Sequence, residues 1–214
     1  MGWSNRKVRR VVRTRLDLDR IRTAQRVIDP VFLDSPLYRC EALEPALGCA
    51  ISIKLETANP VRSFKGRGTE VVASQLAAGD SRAVVCASAG NLGQALAWSA
   101  RDRDLDVTVV ASRFATTAKL DRIRALGATL ELVDGDHELA RDRATALAHH
   151  HNIRLLEDSL DLETCEGAAT IGLEIANALT QDKLEADRAP VVLVALGGWG
   201  DGYWGRACVE GACA

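Results

Sequence analysis

No apolar run in this 214-residue sequence is long enough to span a membrane, and no basic segment leads into the apolar core of a secretory leader. A cytoplasmic chain with no membrane partner is therefore expected. The six cysteines (Cys40, Cys49, Cys86, Cys165, Cys208 and Cys213) form no CxxC pair, and no histidine stands at ligand spacing from them. They read as reduced, mostly packed thiols, and no metal is expected. Neither sign of charge dominates: 27 Lys and Arg stand against 29 Asp and Glu, for a net charge of −2. That balance gives no general reason to expect a nucleic-acid partner. Internal repeats and low-complexity tracts are missing too.

What is present is ordinary for a globular protein: 47% hydrophobic and 26% charged residues, enough for one or two domains with a real core. The N-terminus departs locally from that balance. Arg6, Lys7, Arg9, Arg10, Arg13, Arg15, Arg20, Arg22 and Arg26 face only Asp17 and Asp19. Such an arm suits nucleic acid or a transit sequence, but its composition is better matched by a solvated helix after a basic extension at residues 1–15. His149-His150-His151 cannot all ligate one ion, because consecutive helical side chains point apart. They fit the C-terminus of a helix, where the dipole favours cations.

From Val84 onward the pattern alternates. Val84–Ala87, Val107–Val110, Leu130–Val133, Arg154–Leu156 and Val191–Leu196 read as strands. Leu92–Arg103, Thr117–Leu126, His137–His151 and Glu166–Leu179 read as the helices between them. Near-continuous apolar strands in alternation with helices predict an α/β fold, a parallel-rich, doubly wound sheet covered on both faces. Ligands in such sheets sit at the carboxyl ends of strands. Pro30–Leu37 is Pro-bounded and extended, the apolar run Ile51–Glu56 precedes a short Pro-containing connection, and the charges of Lys54 and Glu56 suit structural pairing at a strand end.

Two stretches carry chemistry. Ser63-Phe64-Lys65-Gly66-Arg67-Gly68 lies where the Ile51–Glu56 run gives way to a helical pattern, with glycines that let the backbone pass close to a bound group. A lysine so placed suits imine chemistry, since its amine must lose a proton to attack a carbonyl; the hexamer alone reads equally well as a solvated lysine at a helix start. Ser88-Ala89-Gly90-Asn91-Leu92-Gly93-Gln94 follows a short buried strand and opens a helix. Its free N–H groups face whatever anion sits there, and Asn91 adds a side-chain amide. By itself this turn also fits a plain N-cap.

Together the two stretches resemble the fold-type II pyridoxal-phosphate enzymes, the family of threonine and serine dehydratases, cysteine synthase and the tryptophan synthase β chain. Ser63–Gly68 is similar to the family's Ser-Phe-Lys-x-Arg-Gly signature, and Ser88–Asn91 to its substrate-carboxylate loop. The resemblance runs from about Leu16 to Gly198. It implies that Lys65 binds pyridoxal 5'-phosphate covalently and later takes the Cα proton. It implies that Ser88, Ala89, Gly90 and Asn91 bind the carboxylate of a small amino-acid substrate, with Asn91 also beside the cofactor ring hydroxyl. Gly197, Gly198 and Gly200 would begin the loop around the cofactor phosphate. Ala89 stands where serine racemases carry a serine acid/base, and a methyl group transfers no proton. The resemblance therefore points to a dehydratase producing a 2-keto acid and ammonia from L-threonine or L-serine, and to a homo-oligomer when complete.

The last residues break the pattern. Trp199–Ala214 holds two of the four Trp, one of the two Tyr and two of the six Cys, with no helical apolar period. Back-translated and read from the second nucleotide of the Trp199 codon, the segment permits a glycine loop followed by a helix. A frameshift near Gly198 is the expectation that follows, with residues 16–198 a partial catalytic domain and 199–214 an aberrant tail. Trp199 and Asp201 would then weaken cofactor binding. Two other readings accompany the dehydratase: a non-catalytic remnant, or a β-replacement enzyme related to cysteine or threonine synthases.

Overall fold

A computed structural model describes residues 15–158, 160–181 and 191–193. Helix α1 (Leu18–Val27) starts where Asp17, in extended conformation, accepts a hydrogen bond from the Arg20 N–H. A single 3₁₀ turn at Pro30–Phe32 follows, capped by Asp29, whose side chain accepts from the Val31 N–H. The stretch expected to be extended from Pro30 is thus locally coiled, because proline at the start of a turn loses no hydrogen bond. Strand β1 (Leu37–Arg39), the short helix α2 (Glu44–Leu47) and strand β2 (Ser52–Lys54) come next, and β1 pairs antiparallel with β2 in a small sheet of its own. Helix α3 (Lys65–Ala78) leads into the main layer.

That layer comprises β3 (Ala83–Ala87), α4 (Asn91–Ala100), β4 (Asp106–Ser112), α5 (Thr117–Ala125), β5 (Thr129–Val133), α6 (His137–His151) and β6 (Arg154–Leu156). The four strands are parallel, in the order β5-β4-β3-β6. Alternate residues of each strand go to opposite faces. Val84, Cys86, Val107 and Val109 pack with Val72 and Leu76 of α3, Leu92 and Leu96 of α4 and Ile123 of α5. Val85 and Val110 pack instead with Ala140, Ala144 and Ala148 of α6. Burial on both faces is the reason these strands read as unbroken apolar runs.

Helix α7 (Leu162–Thr180) starts four residues before the expected Glu166, with Asp161 in extended backbone at its cap. It crosses α3 at two glycines. A Cβ on Gly68 would lie 2.7 Å from the Thr164 backbone, and one on Gly167 would lie 2.6 Å from the Arg67 carbonyl oxygen. Close packing, the structural role expected of the small residues near Glu166, is what the crossing shows.

The expected strand Val191–Leu196 differs from the structure. Its described part, Val191–Leu193, is irregular, with Val191 70% and Leu193 89% exposed. A strand persists only where a neighbour takes its N–H and C=O groups, and among the described residues neither edge strand, β5 or β6, pairs with this segment. Residues 194–196 lie outside the described residues, as do the basic segment 1–14 and the tail 199–214. Among the described residues, no helix is long and apolar enough to cross a membrane.

Candidate active site

Lys65 is the first residue of α3 and is delivered there by a loop organised around one side chain. The Asn59 amide donates to the carbonyl oxygens of Glu56 (2.7 Å) and Ser63 (3.2 Å). Its Oδ1 accepts from the N–H groups of Val61 (3.1 Å) and Ser63 (3.3 Å). Both ends of the amide are thus used to fold the connection back on itself. From α5, Arg122 donates to the Pro60 carbonyl oxygen at 2.5 Å. Arg62, at the tip, is held in left-handed backbone with φ 56°. Ser63 Oγ then accepts from the Lys65 N–H at 3.2 Å. Gly66 presses the first turn of α3 on Phe32, whose ring would stand 2.1 Å from an added Cβ.

The Lys65 side chain is only 16% exposed, and its Nζ donates to both carboxylate oxygens of Asp158, at 2.5 and 2.7 Å. Nζ also lies 4.6 Å from the centre of the Phe64 ring. Asp158 follows β6, whose Leu156 is in register with Cys86 of β3. Ser88–Asn91 leave β3 at that same end of the sheet. Here the Gly90 N–H donates to Ser88 Oγ at 3.2 Å. Gly93 permits a tight turn, since a Cβ there would meet the Ser88 carbonyl oxygen at 2.0 Å. Asn91 is exposed at the start of α4, where the first N–H groups of the helix have no partner within it. Lys65 and the Ser88–Asn91 loop therefore gather at the carboxyl edge of the sheet. Gly197, Gly198 and Gly200 lie outside the described residues.

Two residues after Lys65, Arg67 is fully buried and anchors the start of α3. It reaches Glu56 at 2.9 and 3.0 Å, Glu174 at 2.6 and 3.1 Å, Thr170 Oγ1 at 3.0 Å and Ser35 Oγ at 3.3 Å. Lys54 completes the cluster, 2.5 Å from Glu174 Oε2. Two cations thus meet two carboxylates, the structural role expected of Lys54 and Glu56. Burial, the largest influence, works against the Arg67 charge, but its bonds to Glu174 and Glu56 hold the guanidinium above its ordinary value. Burial likewise opposes the Glu174 charge, and Arg67 and Lys54 together outweigh it, holding that carboxyl below its ordinary value.

Asp158, Asn59 and Glu174 were not singled out by the sequence. Asp158 had a signal, its place just past a strand of a parallel sheet, and Asn59 had another in its Asn-Pro dipeptide. Among the described residues, Cys40, Cys49, Cys86 and Cys165 form no disulfide. Burial, with the Asp158 charge nearby, pushes the Cys86 thiol up to about 12 and makes it inert. Among the described residues no cluster of side chains is suited to a metal ion, and His149–His151 are exposed at the end of α6.

A parallel sheet with a shielded lysine and the start of α4 together at its carboxyl edge is the arrangement that known proteins share with this chain. Residues 28–204 match the family model of the pyridoxal-phosphate dependent enzymes, and the chain belongs to that family. It is 30% identical over 186 residues to the L-threonine ammonia-lyase of Thermotoga maritima, covering 86% of this chain and 45% of that protein. It is 35% identical over 147 residues to the threonine synthase of Methanocaldococcus jannaschii, covering 68% and 36%. Among solved structures, the processed threonine deaminase isoform 2 of Solanum lycopersicum is 29% identical with a TM-score of 0.65, over 75% of this chain and 49% of that one. The chain thus spans about half or less of the length of these relatives. The cofactor of the family is pyridoxal 5'-phosphate, and the donor set at the sheet edge fits it: a shielded primary amine for its aldehyde, with the Asn91 amide and the first N–H groups of α4 alongside.

Proposed function

We propose that this chain carries the lysine-bearing part of an ammonia-lyase that removes water from L-threonine or L-serine and yields a 2-keto acid and ammonia. The observation that carries the reading is the convergence of Lys65 and the Ser88–Asn91 loop at one sheet edge, in a chain about 30% identical to an L-threonine ammonia-lyase. When bound, the cofactor supplies an electron sink for the charge that develops at Cα. Lys65 holds the cofactor and, once freed by substrate, takes the Cα proton on Nζ. The first N–H groups of α4 and the Ser88 hydroxyl receive the substrate carboxylate, and the Asn91 amide would orient the cofactor ring by bonding to the ring hydroxyl. Ala89 offers a methyl group where a second acid/base would be needed for racemisation, so protons move on one face alone. Loss of the β-hydroxyl leaves an enamine that hydrolyses to the keto acid. The active form is a homo-oligomer.

The test is keto-acid release from the purified chain supplied with pyridoxal 5'-phosphate and either amino acid. Keto acid from threonine or serine supports the reading. Release of D-serine in its place, or no product at saturating cofactor, overturns it. The 35% identity to a threonine synthase favours one second reading, a β-replacement. That reaction would consume an added nucleophile and release no keto acid.

A further inference from the structure

We infer that Asp158 is a positioning residue for the proton that Lys65 carries, an assignment that rests on the elimination proposed above. As an ammonium, Nζ has three N–H bonds. Two are directed at Asp158 Oδ1 and Oδ2, at 2.5 and 2.7 Å, and one remains. Among the described residues, Lys65 is the one cation within ion-pair distance of this carboxylate. The backbone that carries this carboxylate is held on both sides. The Thr164 hydroxyl donates to the Asp158 carbonyl oxygen, and the Glu157 N–H donates to Asp161 Oδ2 at 2.6 Å. Arg154 of β6 holds that same Asp161 at 2.9 Å. The turn after β6 is thereby tied to the start of α7, and Asp158 points back across the sheet edge to α3.

The division of the three N–H bonds has a chemical consequence. The neutral amine takes the Cα proton: the C–H bond breaks, its electron pair stays on carbon, and a third N–H forms. Asp158 then binds two of the three N–H groups. The remaining one donates its proton to the β-oxygen as the C–O bond breaks, so that the hydroxyl leaves as water and Nζ returns to the neutral amine. Every proton is accounted for without a further acid. The same contact has a cost in the resting chain. An amine that donates two charge-assisted hydrogen bonds must break them and shed a proton before its lone pair reaches an aldehyde.

Asp158 therefore has opposite effects on two measurable steps. Pyridoxal 5'-phosphate is added to the 214-residue chain, trapped with borohydride at timed intervals, and Lys65 labelling is read by peptide mass mapping. Asp158→Asn should label Lys65 faster than the unaltered chain, by roughly fivefold to tenfold, the lower end reflecting solvent screening at a side chain 33% exposed. Asp158→Glu should restore the slow rate. In the same preparations, keto-acid kcat from threonine should fall at least tenfold in Asp158→Asn with KM little changed. Should Asp158→Asn not fold, Asp158→Ser serves in its place. Equal or slower labelling in the carboxylate-free variant overturns the assignment, as does an unchanged kcat. Labelling needs no amino acid, so a chain that turns nothing over refutes the proposed reaction while the labelling rates still decide on the Asp158–Lys65 contact.

Discussion

Arg67 Nη1 donates to Glu174 Oε1 at 2.6 Å, joining the helix that presents Lys65 to a helix 107 residues further along the chain. This contact sets the height of α3 on α7, and with it the position of the lysine at the sheet edge. Lys54 and Glu56 complete the charge balance from the end of β2. Removing one partner of such a group is costly because it leaves a buried charge uncompensated. Glu174→Ala should lose about 3–5 kcal/mol of stability, measured by urea unfolding. A loss under about 1 kcal/mol would mean that the cluster relaxes to water and does not clamp α3.

The same carboxylate predicts acid sensitivity. Burial alone would raise the Glu174 value, but Arg67, Lys54 and the Asp34 N–H hold it below the ordinary one. A depressed folded-state value contributes stability that is fully present above the ordinary carboxylate value of about 4.3. That stability is lost as pH falls from there through the folded value. The urea midpoint should therefore drop below about pH 4.5, and Glu174→Gln should remove this group's share of the drop. An identical pH profile in the two proteins would assign the acid sensitivity to other groups.

The α3–α7 crossing predicts a steric cost. A methyl on Gly167 would stand 2.6 Å from the Arg67 carbonyl oxygen, a backbone atom that no rotamer change can move. Gly167→Ala should destabilise by about 1–3 kcal/mol in thermal or urea unfolding. It should also slow cofactor trapping at Lys65, because the helices can separate only by shifting α3. An unchanged melting temperature would show that the crossing tolerates a wider spacing.

Arg62 offers a gain. Its φ of 56° is left-handed, a conformation that costs most residues roughly 1–2 kcal/mol and costs glycine little. Part of the relief returns as extra entropy of the unfolded chain. Arg62→Gly should raise stability by about 0.5–1 kcal/mol, seen as a small rise in Tm. A lower Tm would show that the exposed guanidinium contributes more than the backbone strain removes.

Lys65→Ala tests the attachment point. Asp158, the ion-pair partner of Lys65, is 33% exposed and can be solvated when the amine is gone, so circular dichroism and Tm should change little. Borohydride trapping with pyridoxal 5'-phosphate should leave no labelled peptide. Label recovered on another lysine at the original rate would move the attachment point elsewhere.

Much of this protein was decided locally. The apolar runs of β3 and β4, the helix periods between them and the Ser/Gly/Asn turn at Ser88–Asn91 are short-range patterns, and α6 begins and ends at the residues the sequence marks. Ser63–Gly68 likewise marks Lys65 in a single hexamer, since backbone clearance and a primary amine are properties of adjacent residues. What only the tertiary structure decided is which distant charges meet. The pairing of Lys65 with Asp158 spans 93 residues and that of Arg67 with Glu174 spans 107, so each depends on how β6 and α7 pack against α3. The exposure of Val191 and Leu193 was hidden for the same reason. An apolar triplet becomes a strand only when a neighbour accepts its hydrogen bonds, and the partner of a strand is not written within the strand.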